Sequence, residues 1–134
     1  MRYLLDTHIA LWLLSGDERL PEAAAEIAVN EDHELYLSAA SLWEVVIKHR
    51  KAPALMPISG GELLRYCEQA AIGILPIRQE HVLTVASLHR VEGSPPHNDP
   101  FDQLLIAQSK WDGLILITQD SLFTQYGEPT VWRV

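Results

Sequence analysis

Cysteine is nearly absent from this sequence: Cys67 is the only one in 134 residues. No disulfide can form within the chain, and nothing points to an oxidising compartment. Cys67 itself lies in a helical pattern and reads as a small core residue. Long hydrophobic runs are missing too. None reaches the roughly 18 residues that cross a bilayer, and the apolar start from Leu4 to Leu14 is interrupted by Asp6, Thr7 and His8. That start lacks the basic flank and small-residue cleavage site of a secretory signal. The expected location is therefore the cytoplasm, away from membranes. No repeat, low-complexity tract or linker breaks the chain. Positive charge is the third shortage. Ten Lys and Arg stand against 18 Asp and Glu, a formal net charge of −8. That balance suits a cation-binding site, or an acidic protein with a basic partner, better than direct phosphate binding.

What is present suits one domain, residues 1–134, with 48% hydrophobic residues to fill a core. Short apolar runs alternate with helical patterns. Strands are expected at Arg2–Asp6, Glu34–Ser38, Ile74–Ile77, Leu114–Thr118 and Thr130–Val134. Helices are expected at 7–14, 22–30, 40–50, 62–71, 78–91, 100–111 and 121–126. Ser59 and Glu62 have capping-box spacing. Asp99 and Pro100 mark a helix start, and Asp112-Gly113 its end. In the fifth helix, Val82, Val85, Ala86 and His89 share one face. The alternation implies an α/β domain in three layers: a mostly parallel sheet of about five short strands, with helices on both faces.

In such sheets, sites lie beyond the carboxyl ends of the strands. Asp6 ends the first strand, and Asp120 follows the fourth. Glu44 lies on the helix after the second. Asp102 sits in the first turn of the helix that feeds the fourth. The sheet thus gathers four carboxylates from well-separated positions. Each has a plainer use. Asp6, Asp99, Asp102 and Asp120 all suit helix starts, and Glu44 has Lys48 four residues on. Glu44 is the least comfortable of them, because Leu42, Trp43, Val45, Val46 and Ile47 surround it. A helix apolar on nearly every side is expected to be mostly buried, and a lone buried Glu is costly. Two carboxylates about 5 Å apart repel by roughly 3 kcal/mol at an effective dielectric near 20. Gathered acids therefore take up protons or bind cations. Oxygen-only ligands point to Mg2+, with Mn2+ as the alternative. His8 and His97 are close in sequence to the acids, but no Cys or paired-His spacing supports zinc.

Four segments in this order resemble the PIN-domain ribonucleases, most closely the VapC-like toxins of bacterial toxin–antitoxin pairs. They are Tyr3-Leu4-Leu5-Asp6-Thr7-His8, Ser38 to Lys48 around Glu44, His97-Asn98-Asp99-Pro100-Phe101-Asp102, and Ile117-Thr118-Gln119-Asp120. The resemblance makes Asp6, Glu44, Asp102 and Asp120 an acidic quartet around the metal, with Asp6 and Asp102 its most direct ligands. Thr7 and Thr118 become polar support, and Asp99 an additional acid. Many relatives carry Arg after the central acid; here it is Gln103, which puts any substrate contact of that arginine in doubt. The resemblance also implies Mg2+-dependent cleavage of RNA, such as a tRNA or ribosomal RNA. It implies a homodimer and a cognate antitoxin protein as well.

Together these readings describe a metal-dependent endoribonuclease in which a divalent ion activates water and stabilises the departing oxygen. No Ser–His–Asp or Cys–His arrangement suggests a covalent intermediate. A signalling receiver domain would need an Asp at the end of its third strand and a Lys at the end of its fifth; neither is present. A binding module whose acids merely cap helices is the other alternative, and the acids alone do not choose between RNA and DNA. The apolar Trp12, Leu13 and Leu14 suit either the core or a partner. The basic run Lys48-His49-Arg50-Lys51 suits either RNA phosphates or the negative end of its own helix.

Overall fold

Tyr3 and Leu5 face one side of the central strand and Leu4 the other, and that alternation divides the molecule into layers. The computed structural model describes residues Met1–Val134. Five strands form one sheet: β1 (Arg2–Leu5), β2 (Glu34–Ser38), β3 (Gly73–Leu75), β4 (Ile115–Thr118) and β5 (Val131–Arg133). Their order is β3-β2-β1-β4-β5 and every pairing is parallel. Six α-helices connect them: α1 (Thr7–Ser15), α2 (Glu22–Val29), α3 (Ala39–Lys51), α4 (Gly60–Gln69), α5 (Gln79–Val85) and α6 (Pro100–Asp112). A short 3-10 helix, Ser121–Tyr126, leads into β5. No helix is long and apolar enough to cross a membrane.

One face of the sheet packs Leu5, Leu37 and Ile117 against Ile9, Val45 and Leu63 from the helices. The opposite face packs Leu4 and Leu116 against Leu105, Ile106 and Phe123. The three-layer α/β architecture expected from the alternating elements is the one observed. Because all strands are parallel, their carboxyl ends share one edge. The chain lays β2 and β3 on one side of β1, then crosses to place β4 on the other. The β1/β4 boundary is thus a topological switch point, where open sheets of this kind leave a crevice.

Local signals at helix ends are realised closely. Ser59 and Glu62 form both halves of a capping box. Asp99 caps α6 through the backbone N–H groups of Phe101 and Asp102, with Pro100 in the first turn. Gly113 closes α6 at φ +67°, a left-handed conformation suited to glycine.

The fifth helix departs from its sequence pattern. It ends at Val85 rather than Val91, and Val82, Ala86 and His89 are exposed. The residue it buries is His81. Its Nδ1 accepts from the Arg78 backbone N–H at 3.0 Å, and its Nε2 lies 2.9 Å from Asp112 on α6. A polar staple, rather than an apolar stripe, holds this helix down. Helix α3 also departs: Glu44 is buried, but Trp43, Val46 and Ile47 are exposed. The apolar flanks of Glu44 are only partly covered by the domain itself.

At Gly60, an added Cβ would collide with Val46 Cγ2. Gly60→Ala is expected to destabilise the protein by about 1–3 kcal/mol through overpacking. Val46→Ala in the same chain should recover most of that loss. Denaturant midpoints of the two single variants and the double variant check this.

Candidate active site

Asp6 leaves β1 at the switch point. Its backbone N–H donates to Ile117 O on β4 at 3.0 Å. Its carboxylate is held by both neighbours: Oδ1 accepts from the Thr7 backbone N–H at 2.7 Å, and Oδ2 from the Thr118 hydroxyl at 2.8 Å. Thr118 in turn accepts from the Asp120 backbone N–H at 3.0 Å. Asp6 is 6% exposed. Burial pushes its pKa above the usual carboxylate range. The bonds to Thr118 and Thr7 and the nearby His8 pull the other way, while Glu44 adds repulsion.

Glu44 reaches the same place from α3. Thr7 Oγ1 lies 2.8 Å from both Glu44 Oε1 and Ser41 Oγ. An ionised carboxylate only accepts, so the Thr7 proton points to Glu44 and Ser41 donates to Thr7. Lys48 Nζ donates to the other Glu44 oxygen at 2.8 Å. The i,i+4 pair seen in the sequence is therefore real, yet Glu44 also has a bond to α1. Ser41 carried no chemical signature that would have singled it out.

Asp102 projects from the first turn of α6. Desolvation raises its pKa to about 7. The adjacent charges of Asp99 and Asp6 push the same way, and the His97 hydrogen bond opposes them. His97 Nε2 lies 2.9 Å from Asp102 Oδ2, and its Nδ1 lies 2.9 Å from the Tyr126 hydroxyl. Asp99 uses its Oδ1 as the cap of α6. Asp120 is more exposed and caps the 3-10 helix through the Leu122 N–H at 2.9 Å. It shares with Asp6, His8 and Trp12 a small cavity of about 170 Å³. A second groove of about 560 Å³ adjoins it along α1. His8 and Trp12 line both, and Leu11, Leu14, Met56 and Ile58 line the groove. Trp12 and Leu14 thus meet open space as well as the core.

Asp6 is the electrostatic hub of this edge: its charge acts on both Glu44 and Asp102. No three His, Cys, Asp or Glu side chains form a closed cage able to grip an ion, since each acid is drawn to a protein partner. The donor chemistry is nevertheless that of a hard cation. Carboxylate oxygens dominate: Asp6 and Asp102 are both raised in pKa, first by burial and then by neighbouring carboxylates, and a divalent ion would offset that repulsion. The His97 nitrogens are both engaged, which leaves that imidazole no free lone pair for a softer metal such as zinc.

A family profile described as "PIN domain" matches residues 3–129. Ribonuclease VapC22 of Mycobacterium tuberculosis is 29% identical over 141 residues, covering 96% of this chain and 97% of the relative. VapBC2 from Rickettsia felis, solved bound to a promoter DNA fragment, superposes with a TM-score of 0.67 at 15% identity, covering 100% of this chain and 98% of that one. VapBC-1 from nontypeable Haemophilus influenzae gives 0.66 at 17% identity, over 99% and 98% of the two chains. A toxin–antitoxin complex from Klebsiella pneumoniae gives 0.59 at 20% identity, over 98% and 99%. With its profile matched from the central strand almost to the last, and its fold shared along its whole length with these structures, this chain belongs to the PIN-domain family.

Proposed function

We propose that this protein is a metal-dependent endoribonuclease, the toxin of a VapBC-type pair, hydrolysing RNA phosphodiester bonds at the edge formed by Asp6, Glu44, Asp102 and Asp120. The observation that carries this reading is that the buried Asp6 and the half-buried Asp102 stand at one edge of a PIN fold, near enough for the charge of Asp6 to act on Asp102. The similarity to Ribonuclease VapC22 supports RNA as the substrate. The VapBC complexes among the structural neighbours support an antitoxin partner.

Asp6 and Asp102 would hold Mg2+, or Mn2+, and Glu44 and Asp120 would hold a second ion or its waters. Asp99 is the additional candidate. When bound, the ion supplies charge to hold the scissile phosphate, to activate water and to stabilise the leaving oxygen. The chain does the rest. Thr118 and the Thr7 backbone N–H fix both oxygens of Asp6. The Thr7 hydroxyl and Lys48 each hold one oxygen of Glu44. Arg50 and Lys51, exposed at the end of α3, offer cations to phosphates on either side of the cut. The apolar groove beside the site suits an antitoxin segment, and the exposed Trp43, Val46 and Ile47 suit a second copy in a homodimer.

The test is to sequence the RNA ends left by the purified protein in Mg2+ and in chelator. Defined new ends in Mg2+ only are expected. Intact RNA in Mg2+ and Mn2+, with the protein freed of any partner, would overturn the reading; so would equal cleavage in chelator.

A further inference from the structure

Behind Asp102 lies a chain of polar contacts that the cleavage chemistry does not itself use. His97 is 5% exposed and Tyr126 is 7% exposed. His97 Nε2 meets Asp102 Oδ2 at 2.9 Å, and Nδ1 meets the Tyr126 hydroxyl at 2.9 Å. The Gln103 side-chain amide donates to the Tyr126 oxygen at 3.4 Å. The ring of His97 is packed edge-on to Tyr126 and tilted against Phe123. An ionised Asp102 can only accept, so in a neutral imidazole the proton belongs on Nε2. Nδ1 is then an acceptor, and the tyrosine hydroxyl, which also lies 3.3 Å from the His97 carbonyl oxygen, donates to it at the shorter 2.9 Å. Every bond consequently runs in one direction, from Gln103 through Tyr126 and His97 to Asp102, and each polarises the next.

We propose that Gln103, Tyr126 and His97 are positioning residues for Asp102: they anchor Oδ2 and leave Oδ1 to face a divalent cation. This rests on the reading of the acid edge as a cation site. The chain ties together three places that nothing else in the local sequence aligns: the loop before α6, the first turn of α6 and the end of the 3-10 helix. A buried imidazole held from both sides cannot turn, so the carboxylate it holds loses its rotamer freedom before the ion arrives. Gln103, left without a role by its sequence position, gains one inside the protein rather than on the substrate. Partners of this kind, one step removed from a metal, typically change its affinity by about 10–100-fold.

The experiment uses the full chain, metal-free, with Mn2+ alone as probe and no RNA. Nitrogen-15 spectra of the histidines at pH 8 report which His97 nitrogen is protonated, and calorimetry at the same pH reports the Mn2+ Kd. Wild type should show His97 as the Nε2–H tautomer. Tyr126→Phe keeps the ring and removes one hydroxyl; it should keep the Nε2–H tautomer, which Asp102 sets, and weaken Mn2+ by about 10–100-fold. His97→Gln, whose amide can restore a donor to Asp102, should bind more tightly than His97→Ala. Tyr66→Phe, a partly exposed tyrosine away from the chain, should match wild type. A Tyr126→Phe protein with the wild-type Mn2+ Kd would overturn the proposal. Failure of wild type itself to bind Mn2+, with the Nε2–H tautomer intact, would instead overturn the cation reading and remove the purpose proposed for the chain.

Discussion

Asp6→Asn should reduce RNA cleavage by roughly 1,000-fold or more while leaving the protein folded. Asp6 stands at the meeting point of β1, β4 and α1, and both of its oxygens accept hydrogen bonds inside the protein. Asparagine fits the same space but offers one acceptor instead of two and no charge. With its amide oxygen toward the Thr7 N–H, its amide NH2 faces Thr118, whose hydroxyl must turn to accept. Losing one such bond costs about 1 kcal/mol. Removing a charge that burial already disfavours offsets part of it. The effect on rate is different in kind. A missing anionic ligand weakens the hold on the ion and the charge stabilisation it provides, worth several kcal/mol at about 1.36 kcal/mol per tenfold. Initial rates on the RNA substrate, beside a circular-dichroism melt, check both halves. Wild-type rates from the variant would take Asp6 out of the site.

Asp102→Asn should produce the opposite pairing: a less active protein that is more stable in chelator at pH 8. The sign follows from proton binding. In the unfolded chain this carboxyl titrates near 3.8; in the folded chain burial and the charges of Asp99 and Asp6 move it to about 7. Between those values the folded state holds more protons, so stability falls as pH rises from about 4 to about 7, then levels off. Three pH units correspond to at most about 4 kcal/mol, and the loss of charge-assisted bonding to His97 subtracts from the gain. Asparagine removes the dependence and can still accept from His97 Nε2. Its advantage should therefore be greatest at pH 8 and vanish near pH 4. Mg2+ should raise the wild-type melting temperature at pH 8 and barely move the variant's. Melting curves at several pH values, with EDTA and with Mg2+, decide it. A variant no more stable than wild type at pH 8 in EDTA would show that the folded state does not strain this carboxylate.

Burial holds Asp6 and Asp102 above the ordinary carboxylate range, and the residues around these acids divide according to how they can be recognised. The strand and helix order was legible because each element carries its own pattern: a short apolar run ended by an acid in Tyr3-Leu4-Leu5-Asp6, a capping box at Ser59 and Glu62, Asp99-Pro100 at a helix start. Hydrogen bonds between residues two to four apart are written in the spacing itself. The order of elements then implied a parallel sheet, and a parallel sheet brings the ends of β1 and β4 to one edge.

Contacts between distant residues carry no such spacing. Thr118 donates to Asp6 across 112 positions, Thr7 to Glu44 across 37, and Tyr126 meets His97 across 29. Nothing near Tyr126 in the sequence distinguishes it from any buried tyrosine. The same limit explains α5 and α3. An apolar stripe on α5 suggested an inward face, but the buried His81 and its half-buried partner Asp112 set its orientation. Apolar residues around Glu44 suggested that α3 is mostly buried, but its outer face leaves Trp43, Val46 and Ile47 exposed. By itself the sequence determined the elements, their order and the acids at their ends, because those depend on local hydrogen bonding and periodicity. Tertiary structure alone decided which side chains restrain each acid and which helix faces stay bare, because those depend on packing between segments that meet only once the chain has folded.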